Sequence, residues 1–142
     1  MRSEALLETR GLVVEFGTRA GTVARALDGV DFAVRRGEVL AIVGESGSGK
    51  TTLARALVGL QTPAAGEVLV DGEPMNYSMK GLRAFRHRVQ MVLQDVSGSL
   101  NPRQTVYESV AEGIRLHGLV GSEGRSEAEL VAQAMSEAGL RP

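Results

Sequence analysis

Cysteine is absent from the 142 residues, which excludes disulfides, a thiol nucleophile and any zinc site built on thiolates. A reduced compartment is compatible with that usage. Tryptophan is absent too, and the aromatics are confined to three Phe and two Tyr, so the core is expected to be aliphatic. Neither sign of charge dominates. Sixteen Lys and Arg against 17 Asp and Glu give a formal net charge of -1, without the basic surplus that nucleic acid demands. Long hydrophobic runs are missing as well: the purest, from Val39 to Val43, falls far short of the roughly 20 residues needed to cross a bilayer. At the N-terminus, Met1-Arg-Ser-Glu-Ala-Leu-Leu-Glu8 places acids where a signal peptide needs an apolar centre. Any membrane role is therefore expected to run through a partner. What is present, 43% hydrophobic and 23% charged residues, is the composition of a globular domain.

The first third reads as strands. Leu6, Leu7, Leu12, Val13, Val14 and Phe16 mark one segment, interrupted at Arg10-Gly11. A loop from Gly17 to Arg25 is expected next, then a strand over Val30 to Val34, whose alternation suits one buried face. After a turn at residues 35–38, the continuous apolar run from Val39 to Val43 predicts a strand buried on both faces. Helix and strand then alternate. Leu53, Ala56, Leu57 and Leu60 predict a helix ended by Thr62-Pro63, and residues 67–71 a short strand closed by Asp71-Gly72. Residues 78–88 predict a basic helix and residues 89–93 another apolar strand. Thr105 with Glu108, and Ser126 with Glu129, are capping-box pairs opening two further helices. The pattern is α/β with a helical appendage.

Residues 44–51, Gly-Glu-Ser-Gly-Ser-Gly-Lys-Thr, satisfy G-x-x-x-x-G-K-[ST] in full, between an apolar run and a helical pattern. Each residue type has a reason. Gly44, Gly47 and Gly49 let the backbone turn tightly and leave N–H groups free to face phosphate oxygens. A helix N-terminus completes the anion site. Lys50 brings a cation to the β- and γ-phosphates, Thr51 offers a hydroxyl to Mg²⁺, and Thr52 reaches an α-phosphate oxygen. Glu45 is expected to point outward, because a carboxylate beside phosphates is unfavourable. The candidate nucleotide-binding set is Gly44, Glu45, Ser46, Gly47, Ser48, Gly49, Lys50, Thr51 and Thr52, with Lys50 also a candidate catalytic residue. Such a loop alone does not separate kinases, GTPases, motors and transporters.

The loop and the residues beyond it carry a family resemblance. Residues 44–60, GESGSGKTTLARALVGL, resemble the Walker A region of ABC transporter ATPases. Gln94 looks like that family's Q-loop glutamine. Residues 94–106, QDVSGSLNPRQTV, resemble the QDPxxSLNPRxTV stretch of the oligopeptide, dipeptide and nickel importer subgroup, with Val96 in place of the usual Pro. Residues 26–32 and 65–72 resemble the strand before Walker A and the hairpin after it. The resemblance implies a P-loop NTPase fold of the ABC nucleotide-binding type: an antiparallel N-terminal β subdomain, a P-loop core, and the start of the α-helical subdomain. Residues 1–94 would form the first two and residues 95–142 the Q-loop and helical start.

The same resemblance implies ATP and Mg²⁺ as cofactors, with Gln94 as a second metal-shell and catalytic residue beside Thr51. It also implies an adenine-stacking aromatic, for which Phe16 is the candidate, an ordinary core position being the alternative. Implied partners are a second ABC ATPase domain, integral permease subunits through the loop from Gln94 to Val106, and indirectly an extracytoplasmic solute-binding protein. The implied location is cytoplasmic, peripheral on the membrane's inner face, and the implied activity ATP-driven import of peptides or related solutes. No LSGGQ signature and no Walker B acid occur in these residues, so the expected fold is truncated before both. Efficient hydrolysis by the chain alone is not expected, and residues 39–43 are expected to expose an apolar edge. A non-hydrolytic nucleotide-binding fragment and a permease-docking remnant stay open as alternatives. Arg83, Arg86, His87 and Arg88 read as a solvated basic face, and Asp71 as a simple turn acid.

Overall fold

The computed structural model describes residues 5–18, 21–95, 98, 100–121 and 124–141. The chain divides into two compact units, Met1–Met91 and Val92–Pro142. In the first unit, β1 (Ala5–Gly17) pairs antiparallel with β2 (Val23–Arg35) and with β3 (Ala65–Val70), and β3 turns into the two-residue β4 (Glu73–Pro74). The sheet order is β2-β1-β3-β4.

The interruption expected at Arg10-Gly11 is a bulge and not a break. Gly11 adopts φ +54°, and the β1 register shifts here against both neighbours, between Thr9 and Leu12 on one side and Arg10 and Val13 on the other. The Gly11 N–H donates to the Asp31 carboxylate. Across the bulge, Gly66 approaches so closely that an added Cβ would lie 2.2 Å from the Gly11 carbonyl oxygen. One extra residue is thus absorbed with a local twist while the strand continues. Thr9, buried in the sheet, donates its hydroxyl to the Val30 carbonyl at 3.0 Å and accepts from the Phe32 N–H at 3.2 Å. A buried hydroxyl so paired avoids the cost of an unsatisfied polar group.

Helix α1 (Lys50–Leu57) lays Leu53 and Ala56 on the sheet's apolar face, where Leu12, Val14, Leu27 and Val68 are buried with them. The core is aliphatic, as the scarcity of aromatics requires. The helix ends earlier than Thr62-Pro63 would place it: Val58 is the C-cap and Gly59 takes φ +68°. Leu60 therefore lies beyond the helix and is exposed. Helix α2 (Met79–Arg86), capped by the Ser78 side chain, packs Leu82 and Phe85 toward Gly59, and Arg86 donates to the Gly59 carbonyl at 3.2 Å.

Two sequence expectations fail here. Residues 39–43 and 89–93 belong to no strand, although the apolar side chains of 39–43 are exposed as expected: Val39 is 95% exposed and Val43 89%, and Val92 in the second stretch is 94% exposed. The residue types are those of buried parallel strands, but a strand exists only through a ladder partner. Among the described residues none runs beside either segment. The predicted loop from Gly17 to Arg25 also contracts, because β2 already begins at Val23.

The second unit holds α3 (Val106–His117) and α4 (Glu127–Glu137), packed through Ala111, Ile114 and Val131. Both expected capping boxes form. The Glu108 carboxylate accepts from the Thr105 N–H at 2.8 Å while Thr105 Oγ1 accepts from the Glu108 N–H at 3.1 Å. Glu129 and Ser126 repeat the arrangement at 2.7 and 3.3 Å. Arg115 grips Glu127 with Nε and Nη2, at 2.7 and 2.6 Å.

These caps carry a pH dependence. The Thr105 N–H, then its hydroxyl, holds the Glu108 carboxyl below its ordinary value, and the Ser126 hydroxyl, then its N–H, does the same for Glu129. A carboxylate whose folded pKa is depressed stabilises fully above its unfolded pKa and loses that contribution as pH falls through the folded one. Helical circular dichroism from α3 and α4 should accordingly decline on acidification below the ordinary glutamate range. Thr105→Ala and Ser126→Ala should each cost about 1 kcal/mol in urea unfolding. An unmoved urea midpoint for both would show that the boxes do not hold the helices.

Candidate phosphate-binding loop

The loop between residue 43 and α1 is built from glycine in places only glycine accepts. Gly47 and Gly49 have φ of +83° and +91°. At Gly49 space is also closed: an added Cβ would lie 2.7 Å from the Ala26 carbonyl oxygen and 3.0 Å from Leu27 Cδ2. The start of α1 is thereby seated directly on β2. Gly44 faces Ser48 across the loop, where a Cβ would come within 2.8 Å of Ser48 Oγ. A substituent would fill the cradle that the bare backbone leaves.

Helix α1 differs from the other helices at its N-terminus. Its N-cap, Gly49, supplies no side-chain hydrogen bond, and no acid stands in its first turn. By contrast α2 is capped by Ser78, and α3 and α4 have acidic first turns and capping boxes. First-turn amides have no partner within a helix, so those of Lys50, Thr51 and Thr52 are left to an external acceptor. The helix dipole favours that acceptor being an anion.

Lys50 folds back over the loop. Its ammonium donates to the Gly44 carbonyl at 2.7 Å, the Glu45 carbonyl at 2.6 Å and Ser48 Oγ at 3.3 Å. Ser48 N–H closes the turn onto the Glu45 carbonyl at 3.2 Å. A cation is thus held at the mouth of the amide cradle by the loop's own acceptors. The Glu45 side chain is exposed, as is Thr51, and Thr52 is half-buried. An anion of the size and charge of a polyphosphate fits this donor set: backbone N–H groups, one ammonium and two adjacent hydroxyls, with no carboxylate in the helix's first turn. Thr51 is the residue here that could meet a divalent cation.

The other site candidates lie apart from this loop in the sequence. Phe16, near the end of β1 and opposite Ala24, is 43% exposed. Gln94 is exposed at a bend in the second unit. Beyond it, Asn101 caps a turn by accepting from the Arg103 N–H at 3.1 Å; Val96, Ser97 and Ser99 of the same segment lie outside the described residues. What sequence reasoning missed was the floor of the site. Ala26 and Leu27 touch no ligand, yet they fix where the helix begins, and only the Gly-Lys junction hinted that a strand would pass so close.

Comparison with known proteins agrees with this loop and its setting. The family model described as ABC transporter matches residues 27–142, and the chain belongs to that family. The glutathione import ATP-binding protein GsiA of Salmonella typhi is 39% identical over 100% of this chain and 24% of its own length. A putative peptide import ATP-binding protein of Brucella ovis is 38% identical over 100% of this chain and 44% of its own length. The chain therefore spans less than half the length of these curated relatives. Among solved structures, cbiO1 of Clostridium perfringens, part of the ABC transporter complex cbiONQ, superposes with a TM-score of 0.71 at 30% identity. The match covers 97% of this chain and 52% of that chain. The dimeric ATP-binding cassette MJ0796, bound to ADP and Pi, superposes at 0.77 with 24% identity over 92% of this chain and 54% of that one, a likeness of fold. The fold is that of part of an ABC ATPase cassette.

The close seat of Gly49 gives a direct test. Gly49→Ala should destabilise the first unit by about 1–3 kcal/mol, since it combines a left-handed backbone with a clash against a carbonyl. Gly47→Ala, with nothing within 4 Å of its new methyl, should cost only the backbone conformation. Equal thermal shifts for the two would refute the packing argument.

Proposed function

We propose that this chain is the nucleotide-binding front part of an ABC transporter ATP-binding subunit, holding Mg·ATP at residues 44–52 to drive import of peptides or related solutes. The observation that carries this reading is the uncapped, acid-free start of α1 with Lys50 clasped over the loop. The names of the relatives, which refer to glutathione and peptide import, support the solute class.

In this reading the backbone of residues 44–49 and the first-turn amides of α1 hold the phosphates. Lys50 exchanges its Ser48 contact for phosphate oxygens, Thr51 joins the Mg²⁺ shell, and Thr52 reaches an α-phosphate oxygen. Gln94 would complete the metal shell and orient water, and Phe16 would stack on the adenine. When bound, Mg²⁺ neutralises charge between the β- and γ-phosphates. The partners are a second ABC ATPase domain, permease subunits that meet the loop from Gln94 to Val106, and indirectly a solute-binding protein. The working location is the cytoplasmic face of a membrane, reached through those partners. No helix among the described residues is long and apolar enough to cross a bilayer. These 142 residues supply the grip on phosphate but no signature segment and no Walker B acid, so binding without efficient turnover is the property expected of them alone.

Titration calorimetry with Mg·ATP tests the reading. Lys50→Ala should weaken binding roughly 10- to 100-fold, the equivalent of losing a charge-assisted hydrogen bond. Thr51→Ala should weaken Mg·ATP more than ATP without metal. Undiminished affinity in Lys50→Ala would remove residues 44–52 from the nucleotide site.

A further inference from the structure

Residues 39–43 lead straight into the phosphate loop, yet among the described residues their hydrogen-bonded ties lie only at their ends. Among the described residues, none of residues 39–44 donates a backbone hydrogen bond. At the far end, Lys50 ties down the carbonyls of Gly44 and Glu45. At the near end, Glu38 N–H donates to the Arg35 carbonyl at 3.2 Å, and the Arg36 guanidinium binds the Asp71 carboxylate. The second oxygen of that carboxylate takes Arg88.

Asp71 is itself firmly mounted. It occupies the β3–β4 turn with φ +54°, ahead of Gly72 at +81°, the two left-handed residues of a tight hairpin turn. Its N–H donates to the Leu6 carbonyl at 3.0 Å, which fastens the turn to β1. Arg88 belongs to the body on the other side of the loop. Its N–H donates to the Phe85 carbonyl at 2.9 Å, and Phe85 and Leu82 of α2 close on Gly59 just beyond α1. One carboxylate therefore joins the chain that precedes the phosphate loop to the block beyond its helix.

We propose that Asp71 is a positioning residue for the phosphate loop, fixing through Arg36 and Arg88 the point from which residues 39–43 run into Gly44. The proposal rests on the reading of residues 44–52 as the nucleotide site only for its effect on affinity. Exposed ion pairs contribute little to global stability, so the clamp acts on the position and mobility of its segment. A left-handed hairpin turn needs no carboxylate; glycine would serve it at least as well. That separates the clamp from an ordinary turn role.

The test uses the full chain. Because it contains no cysteine, a nitroxide on Ala41→Cys reports the lead-in segment alone. Asp71→Gly preserves the turn and removes the clamp. The expected result is a spin-label mobility raised about twofold on the nanosecond scale. Mg·ATP affinity should fall about fivefold, with an unchanged melting temperature. Arg36→Gln should move both readings the same way and serves if Asp71→Gly misfolds. An unchanged nitroxide spectrum in both variants overturns the proposal. If the parent chain binds no Mg·ATP, the nucleotide reading fails, and the spectrum at position 41 still decides the clamp.

Discussion

Between the Gly49 Cα and the Ala26 carbonyl there is no room for a methyl group; an added Cβ would lie 2.7 Å from that oxygen. The contact presses the start of α1 onto β2, and it works because the next turn of the helix is seated too. Leu53 and Ala56 are buried against Leu12, Val14, Leu27 and Val68. A helix held by both its first residue and its apolar face cannot slide along its axis without opening a void in a close-packed interior. The amides of Lys50, Thr51 and Thr52 are consequently fixed in space by the protein alone. Preorganisation of that kind removes an ordering cost that binding would otherwise carry.

The sheet supplies the platform and its own irregularity. Without the bulge at Gly11, the alternation of β1 would place the residues on its two sides out of phase with the same core. Leu12 and Val14 are fully buried and face α1, while Thr9 is buried and paired to β2. The one-residue excess at Gly11 reconciles these demands, and the bare backbone of Gly66 makes space for it.

Much of this was legible in the sequence because its causes are local. The capping boxes of α3 and α4 are pairs three residues apart, the Asp71-Gly72 turn is a dipeptide, and the phosphate loop is eight consecutive residues. What escaped depends on partners distant in sequence. Residues 39–43 and 89–93 have the composition of buried strands, but composition does not say whether a neighbouring strand lies beside them. The end of α1 is a different case, since its signal is local: Gly59 at φ +68° closes the helix, with the Leu60 N–H donating to the Arg55 carbonyl at 2.8 Å and the Gly59 N–H to the Ala56 carbonyl at 3.1 Å, ahead of Thr62-Pro63. The Gly49 seat depends on Ala26, which carries no signal of its own. Asp71 is the sharpest case: as a turn residue it was obvious, yet the arginines it joins lie 35 and 17 positions away.

The two units also differ in how far along the chain their contacts reach, and this orders their assembly in time. In the second unit the ties are short: boxes three residues wide, and an Arg115–Glu127 pair 12 residues apart. The first unit closes much longer loops, since β1 meets β3 with Leu7 opposite Val70. Closing a longer loop loses more chain entropy before any contact compensates it, and nonlocal strand pairing is slow relative to helix formation. On a growing chain, β1 and β2 can pair with each other as soon as both are out, whereas α1 emerges before β3, the strand that contributes Val68 to its platform. The core beneath α1 is therefore complete only once β3 lies beside β1 and contributes Val68 to it.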